Sequence, residues 1–188
     1  MENTGKQPRF RVRTVILAVL FVIPVAVLFS LFLPDRVIGR EEREAALREE
    51  CGKHLEALSE ICRSYALCGN GAFPGDTLRD KSVPERLFEM ELLPDISVTT
   101  CPSTRIRYPR SAFCFIPGVR MNMSPKMPCV IEKITNHDRL IGVIYVDGTT
   151  AQIRHDCQNY SELIRLFPNI TPEEKVLLET HLKRLDIP

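Results

Sequence analysis

The longest apolar run of the chain extends from Thr14 to Leu33, twenty residues without a charged side chain. As an α-helix such a run rises about 30 Å, which is the thickness of the hydrocarbon core of a bilayer. A cleaved signal peptide is the alternative, but its apolar part usually has about 7 to 15 residues and ends in a small-x-small site, which is missing before Pro34. The run therefore predicts a transmembrane signal anchor, kinked near Pro24.

The charges on the two sides of this run are unequal. Residues 1–13 carry four basic side chains against one acid, whereas the flank after Pro34 mixes both signs. The positive-inside rule then predicts a cytoplasmic N-terminus and a single pass, so that residues 34–188 lie outside the cytoplasm with the lipid bilayer as a partner. Those residues carry 21 positive and 23 negative side chains, which excludes the concentrated basic face that binds nucleic acid.

A second periodic pattern follows, in which apolar or weakly polar residues recur every three or four positions. Such spacing is one stripe of an α-helix, and it predicts a long amphipathic helix beginning at about Arg40. Glycine, asparagine and proline between Gly69 and Gly75 end the pattern. The stripe consists of Leu47, Cys51, Leu55, Leu58, Cys62 and Tyr65.

The middle of the chain alternates short apolar segments with prolines, which predicts a short helix at Val83–Leu93 and then mainly extended structure. Asp147-Gly148 is a favoured pair for a two-residue hairpin turn, so we expect a hairpin over residues 140–154 with its turn at these two residues. The predicted strands are Arg110–Pro117, Cys129–Thr135, Leu140–Val146 and Thr149–Arg154.

The end of the chain carries a capping box, Thr171-Pro172-Glu173-Glu174, which predicts a helix through about Leu185. The order of elements predicts an α+β fold in which the amphipathic helix packs on a small antiparallel β-sheet. The predicted segments are a basic cytoplasmic segment (1–13), a transmembrane helix (14–33), a spine helix and turn (34–74), an α+β region (75–156) and a helical tail (157–188).

Seven cysteines occur without any C-x-x-C pair, so neither a thioredoxin-type redox pair nor a standard structural zinc motif is predicted, and we expect no metal and no cofactor. Outside the cytoplasm, structural disulfides are typical. Cys51 and Cys62 share a helix and would lie about 16 Å apart along it, too far to bridge each other. They would pair instead with Cys101, Cys114, Cys129 or Cys157 and so tie the helix to the sheet; free buried thiols are the alternative. The disulfide candidates are Cys51, Cys62, Cys101, Cys114, Cys129 and Cys157.

The histidines and aspartates of the outer part could supply acid-base chemistry or bind a metal. Imidazole titrates near neutrality and binds metals, but no pair has the spacing of a metal-binding helix motif. We therefore predict no catalytic residue and no enzyme. The alternative is an enzyme that uses His137 with Asp147, or His155 with Asp156. His54 is a further histidine of the outer part.

Several short motifs follow one another in a characteristic order. They are a charged helix with Cys51 and Tyr65, then Asn70-Gly71 and Phe73-Pro74, then Cys101-Pro102-Ser103, Asn136-His137 and a hydrophobic strand ending in Asp147-Gly148. This order, over about residues 40–154, resembles the pilin-like and pseudopilin-like proteins of planctomycetes, verrucomicrobia and lentisphaerae, which are related to type II secretion pseudopilins.

The resemblance implies a pilin-like fold at the bacterial inner membrane, in which the outer half of the N-terminal helix is a spine for the sheet. It implies assembly or protein-protein interaction, linked to type II secretion or fibre formation, with protein partners or self-assembly. Prepilins carry Gly-Phe-Thr-Leu-Ile-Glu before the apolar run, whereas this chain has Arg9-Phe10-Arg11-Val12-Arg13. Prepilin cleavage and polymerisation are therefore not implied. A membrane-anchored extracytoplasmic enzyme remains the alternative function, and a conventional pilus subunit the third.

Overall fold

The computed structural model describes residue 39 and residues 42–75, 82–102, 111–137 and 139–186. The predicted basic segment and transmembrane helix lie outside these residues. Within the described ranges, no helix is both long enough and apolar enough to cross a bilayer. The chain divides into two units, residues 1–45 and 46–188, and the packing described below is that of the second unit, which contains all but the first four residues of the amphipathic helix.

The predicted amphipathic helix is present as α1, residues 42–68. Its buried positions follow the predicted stripe, except that Leu47 and Tyr65 are half-buried and Ala66 ends the buried row. Asn70 and Gly71 both have positive φ, and the Gly71 N–H donates to the carbonyl of Ala66 at 2.8 Å, which closes the helix. The fully buried residues of α1 are Cys51, Leu55, Leu58, Cys62 and Ala66.

Four strands form one antiparallel sheet in chain order, so that each strand pairs with the next. A strand overlaps each of the four predicted ranges, but the first covers only Phe113–Phe115 of the predicted Arg110–Pro117. The second ends earlier than expected, because Lys133 to Asn136 form a turn closed by a 3.0 Å backbone hydrogen bond. The strands are β1 (Phe113–Phe115), β2 (Pro128–Glu132), β3 (Leu140–Tyr145) and β4 (Thr150–Arg154).

The hairpin joins β3 to β4 within the predicted range. Ile144 pairs with Thr150, and Gly148 has φ +84°, a conformation that glycine adopts without strain. The loop contains Val146 as well as the predicted turn residues Asp147 and Gly148. The Val146 N–H donates to the carbonyl of Met127 at 3.0 Å instead of continuing the ladder with β4.

The sheet is covered on both faces. Gly142 faces α1, because a Cβ at this position would lie 2.2 Å from Leu55 Cδ1. Tyr145 is three residues further along β3 and therefore faces the other side, where its ring meets Phe167 edge-on at 6.5 Å. The structure is thus α+β, with a helix packed on a small antiparallel sheet and C-terminal residues packed on the opposite face.

The predicted helix at Val83–Leu93 is shorter in the structure, where α2 covers Val83–Glu89. Glu91 has φ +56°, and the N–H groups of Leu92 and Leu93 both donate to the carbonyl of Leu87. These contacts end the helix and bury Leu93. A 3-10 helix, Ile96–Thr99, then leads the chain to Cys101.

The C-terminal helix is confirmed as α3, Pro172–Leu185, with Thr171 as its N-cap and Glu174 completing the capping box. A second 3-10 helix, Ser161–Leu166, precedes it and was not predicted. Leu163 of that helix and Leu178 and Leu182 of α3 are fully buried. The tail after residue 157 therefore contributes to the hydrophobic core.

Glu174 ties α3 to the loop before β2, and we expect its removal to destabilise the domain. Its Oε1 accepts the Ser124 N–H at 2.6 Å and its Oε2 accepts the Thr171 N–H at 2.8 Å. Replacing Glu174 with alanine should lower the free energy of unfolding by about 1–2 kcal/mol. Urea denaturation would measure the change, with the exposed neighbour Glu173→Ala as the control. Equal effects of the two substitutions would contradict this role.

The same contacts predict a dependence on pH. Burial opposes ionisation of Glu174, but hydrogen bonds from Ser124 and Thr171 outweigh it and lower the pKa of this carboxyl. Because the folded pKa is below the unfolded one, the stabilisation is complete above the unfolded pKa and is lost as the pH falls through the folded pKa. The difference between wild type and Glu174→Ala should therefore shrink on acidification.

Candidate functional site

Four side chains with metal-binding or acid-base chemistry converge beside α1, and we call them the Cys-Glu-His cluster. One ligand atom of each lies within 4.8 Å of those of the other three. They come from four places in the chain: α1, the segment after the first 3-10 helix, the last residue of β2, and the turn before β3. The cluster consists of Cys51, Cys101, Glu132 and His137.

The distances within the cluster are short. Cys51 Sγ lies 3.2 Å from Cys101 Sγ and 3.8 Å from Glu132 Oε1. His137 Nε2 lies 3.2 Å from Glu132 Oε1 and 3.6 Å from Cys101 Sγ. The two cysteines and Glu132 are at most 1% exposed, and the His137 side chain is 6% exposed. The four groups are therefore shielded from water and depend on one another.

Local structure explains how Cys51 and Cys101 meet. Cys51 lies on the buried stripe of α1, one turn before Leu55. The half-buried His54, three residues after Cys51, fixes the segment that carries Cys101, because its Nδ1 lies 3.0 Å from the carbonyl oxygen of Thr100. The carbonyl of Thr99 also accepts the Ala112 N–H at 2.8 Å, which joins this segment to the start of β1.

Glu132 is held by a glycine and an amide. Oε2 accepts the Gly142 N–H at 3.0 Å, and a Cβ on Gly142 would lie 2.9 Å from the same oxygen. Asn136 Nδ2 donates both to Glu132 Oε1 at 3.0 Å and to the carbonyl of Ala112 at 2.9 Å. Glycine in β3 thus makes room for the carboxylate, and Asn136 fixes its orientation.

The electrostatics of the cluster follow from this crowding. Hydrogen bonds with Cys101 and Glu132 raise the pKa of His137 to about 9. The Cys101 thiol, then burial, then the charge of Glu132 raise the pKa of Cys51 far above its ordinary value. With only protein groups present, the imidazolium therefore balances the Glu132 carboxylate, and Cys51 stays a thiol.

The remaining disulfide candidates lie elsewhere. Cys62 of α1 is close enough to Cys129 of β2 for the two to interact electrostatically, and burial raises the pKa of Cys129 to about 12. Cys114 hydrogen-bonds with Tyr160, and Cys157 Sγ lies 3.6 Å from Arg165 Nη2. Cys51 and Cys62 thus face different cysteines of the sheet region.

No thiol pair here has the geometry of a bond that is already formed. The 3.2 Å between Cys51 Sγ and Cys101 Sγ exceeds the length of a disulfide, about 2.05 Å. Disulfide formation by the six candidates therefore stays a prediction. Cys68, which was not a candidate, is exposed.

The residue pairs considered for catalysis are not assembled into dyads. His137 and Asp147 flank opposite ends of the six-residue strand β3, about 20 Å apart. Asp147 instead pairs with Lys126 at 2.9 Å and accepts the Thr149 N–H at 2.8 Å, as a turn residue does.

The second pair separates as well. His155 is buried and neither ring nitrogen has a hydrogen-bond partner within the described part of the chain, whereas the Asp156 carboxylate pairs with Arg165. Both residues line a cavity of about 460 Å³ together with Arg48, Arg139 and Arg154. An acid that pairs with an arginine does not orient the histidine for general-base chemistry.

The chain matches no protein-family model, no curated protein and no solved structure. The resemblance to pseudopilins therefore stays a prediction, and any inference about function rests on the residues of this chain and their geometry.

Sequence spacing gave little sign of the Cys-Glu-His cluster. Fifty residues separate Cys51 from Cys101, and the cluster spans α1, a loop, a strand end and a turn. The available signals were a cysteine on the apolar stripe of a helix, and an acid at the end of an otherwise apolar strand. Neither signal identifies its partners, because these meet only in the folded chain.

Proposed function

We propose that this protein is a single-pass, membrane-anchored protein of the bacterial inner membrane that acts through protein-protein contacts, as pilin-like and pseudopilin-like proteins do. The observation that carries the proposal is the packing of α1 against the β3-β4 hairpin. In the sequence, α1 follows closely after the uncharged run Thr14–Leu33. An apolar anchor that leads into a helix packed on a sheet is the arrangement expected of a pilin-like spine.

Three contacts along α1 support the spine role. Gln152 Nε2 donates to the carbonyl of Arg48 at 3.1 Å, and Ser59 Oγ donates to the carbonyl of Gly148 at 2.8 Å. Between them, Leu55 packs directly on the glycine of β3. The helix is thus fixed to both strands and to the turn of the hairpin, which suits a rigid scaffold better than a cleft that must open for a substrate.

The sheet edge offers a surface for protein contacts. β4 is the last strand in the sheet order, so its outer side has no neighbouring strand among the described residues. Its residues are half-buried or exposed. An edge strand of this kind can pair with a strand of another chain. We propose that the partner, either a second copy or another protein of a secretion or fibre assembly, contacts this edge.

Charged residues placed in the apolar run test the anchor. Wild-type protein produced in a bacterial host should stay with the membranes after an alkaline carbonate wash, with residues 1–33 retained in its intact mass. The double substitution Val25→Asp with Leu28→Asp should release it, because each acid near the centre of the run opposes insertion by about 2.5–3.5 kcal/mol. Val25→Leu with Leu28→Val is the matched control. Release of wild type, or loss of residues 1–33, would contradict an uncleaved anchor.

A photo-cross-linking residue tests the edge. Placed at the exposed Arg154 of β4, it should form adducts with a second copy or with another inner-membrane protein. At the exposed Lys175 of α3 it should form few or none. Adducts from Lys175 alone, or from neither position, would count against the proposed contact surface.

A further inference from the structure

The Cys-Glu-His cluster contains two thiols, an imidazole and a carboxylate around one point. Soft thiolates and a borderline imidazole are ligands that zinc prefers, whereas calcium and magnesium require oxygen ligands. Zinc is bound by four such groups in tetrahedral geometry, at about 2.0–2.3 Å from each. We propose that Cys51, Cys101, Glu132 and His137 form a structural Zn²⁺ site that fastens α1 to the sheet.

Three of the six distances between ligand atoms are close to those of a tetrahedron, and all six are at most 4.8 Å. Bonds of about 2.0–2.3 Å place neighbouring ligand atoms about 3.3–3.8 Å apart. The structure has 3.2 Å between Nε2 and Oε1, 3.6 Å between Nε2 and the Cys101 sulfur, and 3.8 Å between Oε1 and the Cys51 sulfur. The two sulfurs, at 3.2 Å, must separate slightly to reach the value for two thiolates.

Groups behind the ligands are arranged as metal sites require. Outer hydrogen bonds orient metal-binding side chains, and here the Gly142 N–H and Asn136 Nδ2 each donate to Glu132. Four protein ligands fill the tetrahedron, and all four are largely shielded from water, so no position is left for a substrate. These features indicate a structural site.

Binding would change the protonation of three of the four ligands. When Zn²⁺ enters, each cysteine releases its thiol proton to water and the His137 imidazolium releases its Nε2 proton to water. Two thiolates, one carboxylate and a neutral imidazole then surround the dication. The metal would then join α1, the Cys101 segment, the end of β2 and the turn before β3. A disulfide between Cys51 and Cys101 would join only the first two and would leave Glu132 and His137 as an ion pair.

The test uses the full chain purified in mild detergent without chelators. Elemental analysis should find one zinc per chain, and removing it with a chelator under reducing conditions should lower the thermal melting temperature, which added Zn²⁺ restores. Co²⁺ added to the stripped protein should give the intense visible absorption of a tetrahedral site with two thiolates. A Cys51–Cys101 disulfide without zinc, or a folded reduced protein that binds neither metal, would overturn the proposal.

Single substitutions assign the ligands. Cys51→Ser and His137→Gln should each weaken zinc binding by more than about 100-fold, beyond the effect typical of groups that only orient a ligand. Cys62→Ala is the matched control, since Cys62 is equally buried on the same stripe of α1, and it should keep one zinc per chain. If a ligand variant fails to fold, the Co²⁺ spectrum of wild type still decides. Retention of zinc by both ligand variants would reject the assigned site.

Discussion

Replacing Gly142 with alanine should destabilise the domain by about 3 kcal/mol or more, the upper end of the range for overpacked cores. The added methyl group would lie 2.2 Å from Leu55 Cδ1 and 2.9 Å from Glu132 Oε2. Since β3 lies inside the sheet, it cannot move away from α1 without disturbing both neighbouring strands. Urea unfolding followed by circular dichroism would measure the loss, because the chain has no tryptophan for fluorescence.

A second substitution tests whether contact with Leu55 of α1 causes the destabilisation by Gly142→Ala. Leu55→Ala alone should lower the free energy of unfolding by about 2–5 kcal/mol, because it leaves a cavity under α1. In the double variant, the alanine at 142 would occupy part of that cavity. The loss of unfolding free energy in the double variant should therefore be smaller than the sum of the two single losses, by a coupling of about 0.5–3 kcal/mol. Strict additivity would mean that Gly142 and Leu55 are not in contact.

Another glycine provides the control. Gly52 is on α1, and a Cβ there would lie 3.6 Å from Gln152 Nε2, an ordinary contact. Gly52→Ala should therefore be neutral or should stabilise the domain by up to about 1 kcal/mol, because alanine favours the helix. If Gly142→Ala were also neutral or stabilising, α1 would not pack closely on β3.

The elements that the sequence predicted are those whose signals are local. The stripe of α1 needs only the spacing of apolar residues, and the start of α3 needs only Thr171, Pro172 and Glu174. Both are confirmed. The end of α2 could not be predicted in this way. It depends on Glu91 adopting positive φ so that Leu93 reaches the core, and tertiary packing decides that.

Long-range features were beyond sequence reasoning for a physical reason. The pairing of seven cysteines depends on which elements lie side by side, and spacing permits many combinations. The fold brings Cys51 to Cys101, and Cys62 towards Cys129. The second 3-10 helix has no periodic pattern long enough to detect. Its burial of Leu163 could be recognised only once its packing beside α3 was known.

Outside the four cluster residues, Asn136→Asp should be the most destabilising polar substitution. It should lower the free energy of unfolding by about 3–5 kcal/mol. The asparagine is 5% exposed, and its Nδ2 donates to the Ala112 carbonyl and to Glu132 Oε1. Aspartate of nearly the same shape would lose both donors and would add a buried negative charge beside Glu132. Asn136, the first residue of the Asn136-His137 pair, thus orients Glu132 and holds the Ala112 carbonyl.

Two further variants separate charge from lost hydrogen bonds. Asn136→Leu also removes both donors but adds no charge, so it should lower the free energy of unfolding by about 1–3 kcal/mol, less than aspartate does. Asn122→Asp, on an exposed turn, should change it by no more than about 0.5 kcal/mol. Urea unfolding in the presence of a chelator keeps metal occupancy equal in all variants. Equal losses for leucine and aspartate would mean that the added charge costs nothing beyond the two lost hydrogen bonds, which would contradict repulsion from Glu132.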